Sequence, residues 1–409
     1  MSIEIRNAVP DDFPAIVETL STAFLERPDA AAVAAQMGEG WDLDRTWLAA
    51  DGPAILGTLR TWATEITLPG LGLLPASAVS GVTVLPTHRR RGLLRRMVEA
   101  EHAAMRDRGE AMGLLYASEF PIYGRFGYGN ATRWARWTVD ATRTGIVEGQ
   151  GTGVSLVKPD DAIRDELRDF YDAWRRRQPA ELRRRDIGWG YRLGLVEDAW
   201  DGRWKGWLAV HRDASGAVDG YAQYAAEGRW ENHVAKGRLD VSELLAADEE
   251  AERSLWAHLL ARDLVATVRA AQRPADDRVT WRLTNPRAAS IDELGDALWV
   301  RLFDVPRALA ARGYEREGRL VLDVIDTDAT GGRTRVALDA TPHGATCTTT
   351  DAMPDLALPV AALGSVYLGA HDLRDVVLRT GADEHRAGAL EGAARLFRTA
   401  REPWCSTFF

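Results

Sequence analysis

The stretch Val82–Met97, VTVLPTHRRRGLLRRM, limits the fold more than any other part of this chain. A β-branched, apolar run stops at Pro86, the arginines Arg89, Arg90 and Arg91 follow in succession, and Gly92 precedes a stretch with helical spacing. That order reads as strand, basic loop and helix N-terminus. Free N–H groups and the positive end of the helix dipole favour anions at such a place. Gly92 lets the backbone come close to a ligand, and the guanidinium groups add charge-assisted hydrogen bonds. A phosphate-rich ligand is therefore expected, against the plainer reading of a basic turn ahead of a surface helix. Nucleoside triphosphates fit poorly: a P-loop needs Lys and then Ser or Thr after its second glycine, whereas Leu93 and Leu94 follow Gly92, and no G-x-G-x-x-G occurs.

Two further segments carry chemistry. The apolar strand Met112–Ala117 and Ser118 lead into Tyr123–Tyr128, YGRFGY, whose glycines suit a tight turn. The chain ends in WCSTFF, Trp404–Phe409. Chain ends are usually polar and frayed, so a terminal Phe-Phe pair points to burial, which would take the α-carboxylate of Phe409 inside with it. Desolvation raises the pKa of a carboxylate, a property that a general base can use. A hydrophobic tail that simply packs is the alternative.

The arginine loop resembles the R-x-x-G-x-G/A segment that binds acetyl-CoA in GNAT acetyltransferases: Arg89 and Gly92 match, and Leu94 stands where Gly or Ala is usual. The Tyr-Gly-aromatic segment after the fifth strand resembles the same superfamily. Over essentially the whole chain, PTHRRRGLLR (Pro86–Arg95), YASE (Tyr116–Glu119), IYGRFGYG (Ile122–Gly129), GSVYLGAH (Gly364–His371) and the aromatic end resemble the enhanced intracellular survival (Eis) family. That resemblance implies an α+β fold: tandem GNAT-like domains of mixed sheets flanked by helices, then a sterol-carrier-protein-like α+β domain. It implies acetyl transfer from acetyl-CoA to amines of a small cationic substrate, often at several positions of an aminoglycoside. It assigns Tyr123 as general acid and the Phe409 carboxylate as general base. Val82, Thr83, Val84, Arg89, Arg90, Arg91, Gly92, Leu93 and Ser118 fall on the cofactor side, Phe24 and Glu26 on the substrate side. A homo-hexamer of two trimers is implied as well.

Composition is consistent with this reading. The net charge of −9 argues against a nucleic-acid partner and leads to the expectation of an acidic cleft that draws in a polyamine. No run of about 18 apolar residues spans a membrane, and the N-terminus shows no basic region followed by an apolar core. The cysteines are Cys347 and Cys405 alone, far apart, so a cytoplasmic protein without a disulfide framework is expected. No His/Cys spacing points to a metal.

The chain divides by pattern into residues 1–150, a catalytic domain; 151–287, a faded second copy; and 288–409, which delivers the chain end. Trp134–Val139 is expected to close the first domain, Gly145–Gly153 to serve as linker, and Ser290–Val300 to open the third. In the second copy the connection before the helix Glu249–Leu260 reads LLAADEE; its carboxylates would cap the helix dipole themselves and repel a pyrophosphate. His88 and Cys405 are set aside as catalysts, and Arg175–Arg177 and Arg183–Arg185 are read as a solvated helix face or a subunit contact. Acetylation of protein lysines and lipid carriage without catalysis stand as alternatives.

Overall fold

The computed structural model describes residues 3–147, 151–326 and 332–409. The first unit runs β1 (Glu4–Asn7), α1 (Phe13–Phe24), α2 (Ala30–Gly40), β2 (Thr46–Asp51), β3 (Ala54–Thr67), β4 (Leu73–Val84), α3 (Leu93–Asp107) and β5 (Met112–Tyr116). The strands lie side by side in chain order, antiparallel up to β4 and parallel between β4 and β5. A parallel pair needs a crossover, and α3 supplies it. Its buried residues Leu93, Met97, Val98, Glu101, His102 and Met105 recur at helical spacing, so one stripe lies on the sheet.

The pairing of β4 with β5 is short, confined to Ser77–Gly113, Ala78–Leu114 and Val79–Leu115. Beyond Val79, β4 continues to Val84 with β3 alone as its neighbour. An extra residue in β4 opposite the Thr58–Arg60 stretch makes a bulge, with Gly81 at φ +58°. Bulges bend a strand and re-aim its side chains, and here the bend opens a notch between the two strands.

The second unit repeats the strand order with Val154–Val157, Trp207–Arg212, Val218–Glu227, Gly237–Ala246 and Val265–Arg273. Its helix Glu249–Leu260 connects the parallel pair. The sixth strand of each sheet is exchanged. Leu298–Leu302 pairs with β5, and Arg133–Asp140 pairs with Val265–Arg273. Ala289–Asp296 extends the second sheet, and Gly129–Asn130 ends the first. Two sequence expectations are thereby corrected. Trp134–Val139 lies in the second sheet, and Ser290–Val300 is divided between the first two sheets. Local periodicity shows that a segment is a strand but not which distant edge will satisfy its N–H and C=O groups. Residues 148–150 of the expected linker lie outside the described residues.

The third unit is a sheet ordered Gly344–Thr349, Arg333–Thr341, Gly318–Ile325, Leu356–Pro359, Asp383–Glu384, with helices Val305–Ala311, Val360–Tyr367, Leu373–Thr380 and Ala389–Phe397. Its core is continuous with that of the first unit: Leu114, Leu298 and Val300 pack in one cluster with Leu322, Leu358, Val366 and Tyr367. Where helix Val360–Tyr367 crosses Leu298–Leu302, a Cβ on Gly364 would lie 2.2 Å from the Val300 carbonyl oxygen. Gly364→Ala therefore forces helix and strand apart. It should lower stability by about 1–3 kcal/mol, read as a fall in thermal midpoint, while Gly392→Ala, where a Cβ on helix Ala389–Phe397 meets open space, separates this contact from general glycine effects.

Candidate functional site

The arginine loop and the helix behind it are arranged to leave N–H groups free. Arg90 and Gly92 take left-handed φ values of +62° and +77°. Gly92 is the N-cap of α3 with no side-chain capping bond, and a Cβ placed on it would meet nothing within 4 Å. The first N–H groups of a helix lack intrahelical partners, so this end faces open space with its donors unused. The equivalent helix of the second unit is closed. Asp248 accepts from Ala251 N at 2.9 Å, and Glu249, Glu250 and Glu252 occupy the first turn. A carboxylate stands there in the place an anion would take.

In front of the loop lies a cavity of about 660 Å³. Val82, Thr83 and Val84 of β4, Arg89, Arg90, Gly92 and Leu93 of the loop, Ser118, Tyr123 and Phe24 all line it. His88, Arg95 and Arg125 add positive or polar groups, and Glu119 is the carboxylate among the lining residues. Arg91 is not in the lining; it is exposed and reaches back to the Thr87 carbonyl at 3.4 Å. Glu26 is exposed, beyond the left-handed Leu25 that ends α1, and lines neither this cavity nor the one described below.

Tyr123 is 6% exposed. Burial pushes its phenol up to about 12, and among the described residues its hydroxyl has no hydrogen-bond partner, so its proton is available to a ligand. Its loop is held from behind. Gly127, at φ +81°, leaves room for the Arg301 guanidinium, which donates to the Phe126 carbonyl at 2.6 Å; a Cβ at Gly127 would come within 1.7 Å of that group. Arg301 belongs to the exchanged strand Leu298–Leu302. Sequence reading missed it, because only the contact explains why Gly127 must be a glycine. Tyr128 is buried and packs edge-on to Tyr123 at 6.2 Å.

The chain end is fixed by hydrogen bonds, and the buried part is Pro403–Thr407 rather than the terminal pair. Phe408 is 57% exposed, and Phe409 is partly buried. Glu181 accepts from Ser406 N at 2.7 Å; Tyr116 donates to the Thr407 carbonyl at 2.8 Å; Arg184 donates to the Thr407 hydroxyl at 2.9 Å and to the Ser406 hydroxyl at 3.0 Å. Arg184 is itself paired with the buried Glu243 at 2.5 Å. The Phe409 ring then stands edge-on to Trp62 at 5.2 Å and to Tyr116 at 5.1 Å.

Phe409 lines a second cavity, of about 330 Å³, with Ala78 of β4, Trp41, Trp62, Arg60, Arg183, Arg184, Arg185, Arg192 and Asp198. The acidic cleft expected from the net charge is not found here, since five arginines stand against one aspartate and the Phe409 terminus. Nor are Arg183–Arg185 a solvated face: Arg184 is buried and all three line this cavity. β4 thus touches both cavities, through Ala78 on one side of its bulge and Val82–Val84 on the other. Among the described residues, no group of three His, Cys, Asp or Glu side chains is placed to hold a metal ion, and no helix is long and apolar enough to cross a membrane.

Comparison with known proteins gives the context of this geometry. Residues 4–131 and 180–302 each match a family described as acetyltransferase (GNAT) domain, and residues 305–406 match a sterol carrier protein domain. An uncharacterized N-acetyltransferase of Streptomyces griseus is 38% identical over the full length of both chains. N-acetyltransferase Eis of Mycobacterium tuberculosis is 37% identical over 79% of this chain and 78% of its own. The crystal structure of Eis1 from Mycobacterium abscessus superposes with a TM-score of 0.86 at 30% identity, covering 99% of this chain and 100% of that one.

The tail lock can be tested apart from any activity. Arg184→Met leaves Glu243 buried without its main partner, a loss of about 3–5 kcal/mol for a broken buried pair. The thermal midpoint should fall, and the last residues should become open to carboxypeptidase digestion. A tail that stays protected would show that Glu181 and Tyr116 suffice to hold it.

Proposed function

This chain belongs to the Eis family of GNAT N-acetyltransferases, and on that premise we propose that it moves the acetyl group of acetyl-CoA directly to a primary amine. One observation carries the reading: the uncapped, arginine-bearing helix end and a buried, proton-bearing tyrosine share a single cavity on a strand that also reaches the cavity of the chain terminus. In this reading Arg89, Arg90 and the free N–H groups at Gly92 and Leu93 hold the pyrophosphate. Arg91, outside the lining, contributes long-range charge. Bound acetyl-CoA supplies an activated acetyl thioester.

The remaining steps belong to the chain's own groups. Backbone N–H groups of Val82–Val84, on the edge of β4 that β5 leaves open, stabilise charge developing on the thioester oxygen. The Phe409 carboxylate takes a proton from the amine, directly or through water. Tyr123 gives its phenolic proton to the leaving thiolate. In sum a C–N bond forms, a C–S bond breaks, one proton leaves nitrogen and one reaches sulfur. Phe24, partly exposed at the rim of the cofactor-side cavity, borders the path between amine and thioester. Glu26 has no part in this arrangement.

Thiol release from acetyl-CoA over a panel of amines tests the reading. Tyr123→Phe should lower kcat on the order of 100-fold or more with a smaller change in KM. One glycine added after Phe409 should give a loss of similar kind. Undiminished turnover in the extended chain would remove the terminal carboxylate as base. The pH profile gives a further check. A phenol with its pKa near 12 keeps its proton well beyond neutrality, so kcat should not decline through loss of that proton between about pH 7 and about pH 10. A basic limb near the ordinary tyrosine value that disappears in Tyr123→Phe would contradict this.

A further inference from the structure

Resting on the transferase reading, we propose that the acceptor is an amine that also carries an anionic group, phosphate or carboxylate, and that Arg60 and Arg185 bind this group in the cavity beside Phe409.

Arg60 lies at the β4 bulge, paired across the sheet with Ser80. Its guanidinium sits between two indoles, 4.5 Å from the Trp41 ring and 4.7 Å from the Trp62 ring. Among the described residues it has no hydrogen bond and no ion pair, although it is largely enclosed. Arg185 approaches Trp62 at 5.7 Å and donates to the Gly40 carbonyl; it too has no carboxylate within ion-pair distance. Of the other charges, Arg183 is exposed to solvent and the Phe409 terminus is reserved for the amine, while the remaining three are committed. Arg184 is paired with Glu243, Arg192 lies 3.9 Å from the same carboxylate, and Asp198 accepts the N–H groups of Trp200 and Asp201 at 2.8 and 3.2 Å. Two guanidinium groups therefore face one small cavity without an ion-paired carboxylate; the negative charges near them are the Phe409 terminus in the lining and Asp42, which acts on Arg185 from beyond ion-pair distance.

That arrangement costs stability in the absence of a ligand, since enclosed like charges disfavour each other. Enclosure and the neighbouring Arg185 lower the Arg60 pKa to about 9, and Arg185 is lowered as well, mainly by burial. An anion removes the cost and gains two charge-assisted partners on planar groups already held by stacking. A polycation meets the same groups as a barrier. The geometry also sets a length. Trp62 is shared: Arg60 stacks on it, and the Phe409 ring stands against it at 5.2 Å. A ligand with its anion on Arg60 and its amine toward the chain terminus needs only a short spacer. A cavity of about 330 Å³ lies at the small end of the range of roughly 300–1,000 Å³ for small-molecule sites.

The test compares matched acceptors with acetyl-CoA saturating: O-phosphoethanolamine and 4-aminobutyrate against ethanolamine, 1,4-diaminobutane and kanamycin. The anionic amines should show kcat/KM higher than their neutral or cationic counterparts by roughly 10-fold or more, the scale of a charged hydrogen bond. Arg60→Gln should cut the ratio of O-phosphoethanolamine to ethanolamine by about the same factor, chiefly through KM, and Arg60→Lys should restore part of it. Preference for kanamycin or the diamine, with a ratio indifferent to Arg60→Gln, would overturn the proposal and leave the transferase reading intact. No thiol release from any amine would instead sink the transferase reading. The anion seat is then decided by calorimetric titration of O-phosphoethanolamine with coenzyme A saturating, so that the loop at Gly92 is filled. Binding that is lost in Arg60→Gln upholds the seat, and absence of binding to the unaltered protein overturns it.

Discussion

The exchange of sixth strands is the constraint on which the rest of the structure depends. β5 needs a second neighbour for its backbone groups, and the segment that follows it in sequence does not provide one. Arg133–Asp140 crosses to the second sheet, and Leu298–Leu302 returns to pair with β5. That return carries Arg301 to the back of the Tyr123 loop and Val300 to the foot of helix Val360–Tyr367. The tyrosine, the cofactor-side cavity and the third unit are thus positioned by one antiparallel pairing between residues almost 200 positions apart in sequence.

The two related units differ most where each parallel strand pair is joined. Both send a strand into a helix. In one, a glycine caps the helix, no side chain closes it, and arginines stand around the opening. In the other, Asp248 closes the end and three glutamates surround it. The same backbone dipole is left for a ligand in the first case and neutralised internally in the second. A few side chains therefore determine which copy retains a ligand-binding end, while the sheets remain alike.

Much of the fold and part of the site were legible in the sequence, and the limits are physical. Val82–Met97 and Tyr123–Tyr128 could be read because a strand end, a glycine and a helix start are local features. Many of the residues that line the first cavity fall within them, whereas Arg91 lies on an exposed turn outside the lining, and Phe24, Ser118 and Glu119 come from elsewhere in the chain. Sheet membership of Arg133–Asp140 and Leu298–Leu302 could not be read, since it is set by edges distant in sequence. The charge of the second cavity was misjudged for a related reason. A net charge of −9 averages over the whole surface, whereas Arg60, Arg183 and Arg185 are gathered into one recess by β3 and by the segment before helix Asp186–Arg192. Glu26 was a candidate through family resemblance alone; it stands exposed beyond the left-handed turn at Leu25, outside both cavities.

The exchanged strand has a consequence for how the protein is made. On the ribosome β1 to β5 emerge early, yet β5 lacks its outer neighbour until Leu302 has been synthesised, and Tyr116 lacks its Thr407 partner until that residue is added, 291 positions later. The first sheet must therefore wait, with one edge unpaired, while the whole second unit is produced. Such an edge is a template for pairing with another chain. Nascent copies are most exposed to misassembly during this interval, and the pace of translation across the second unit sets how long it lasts.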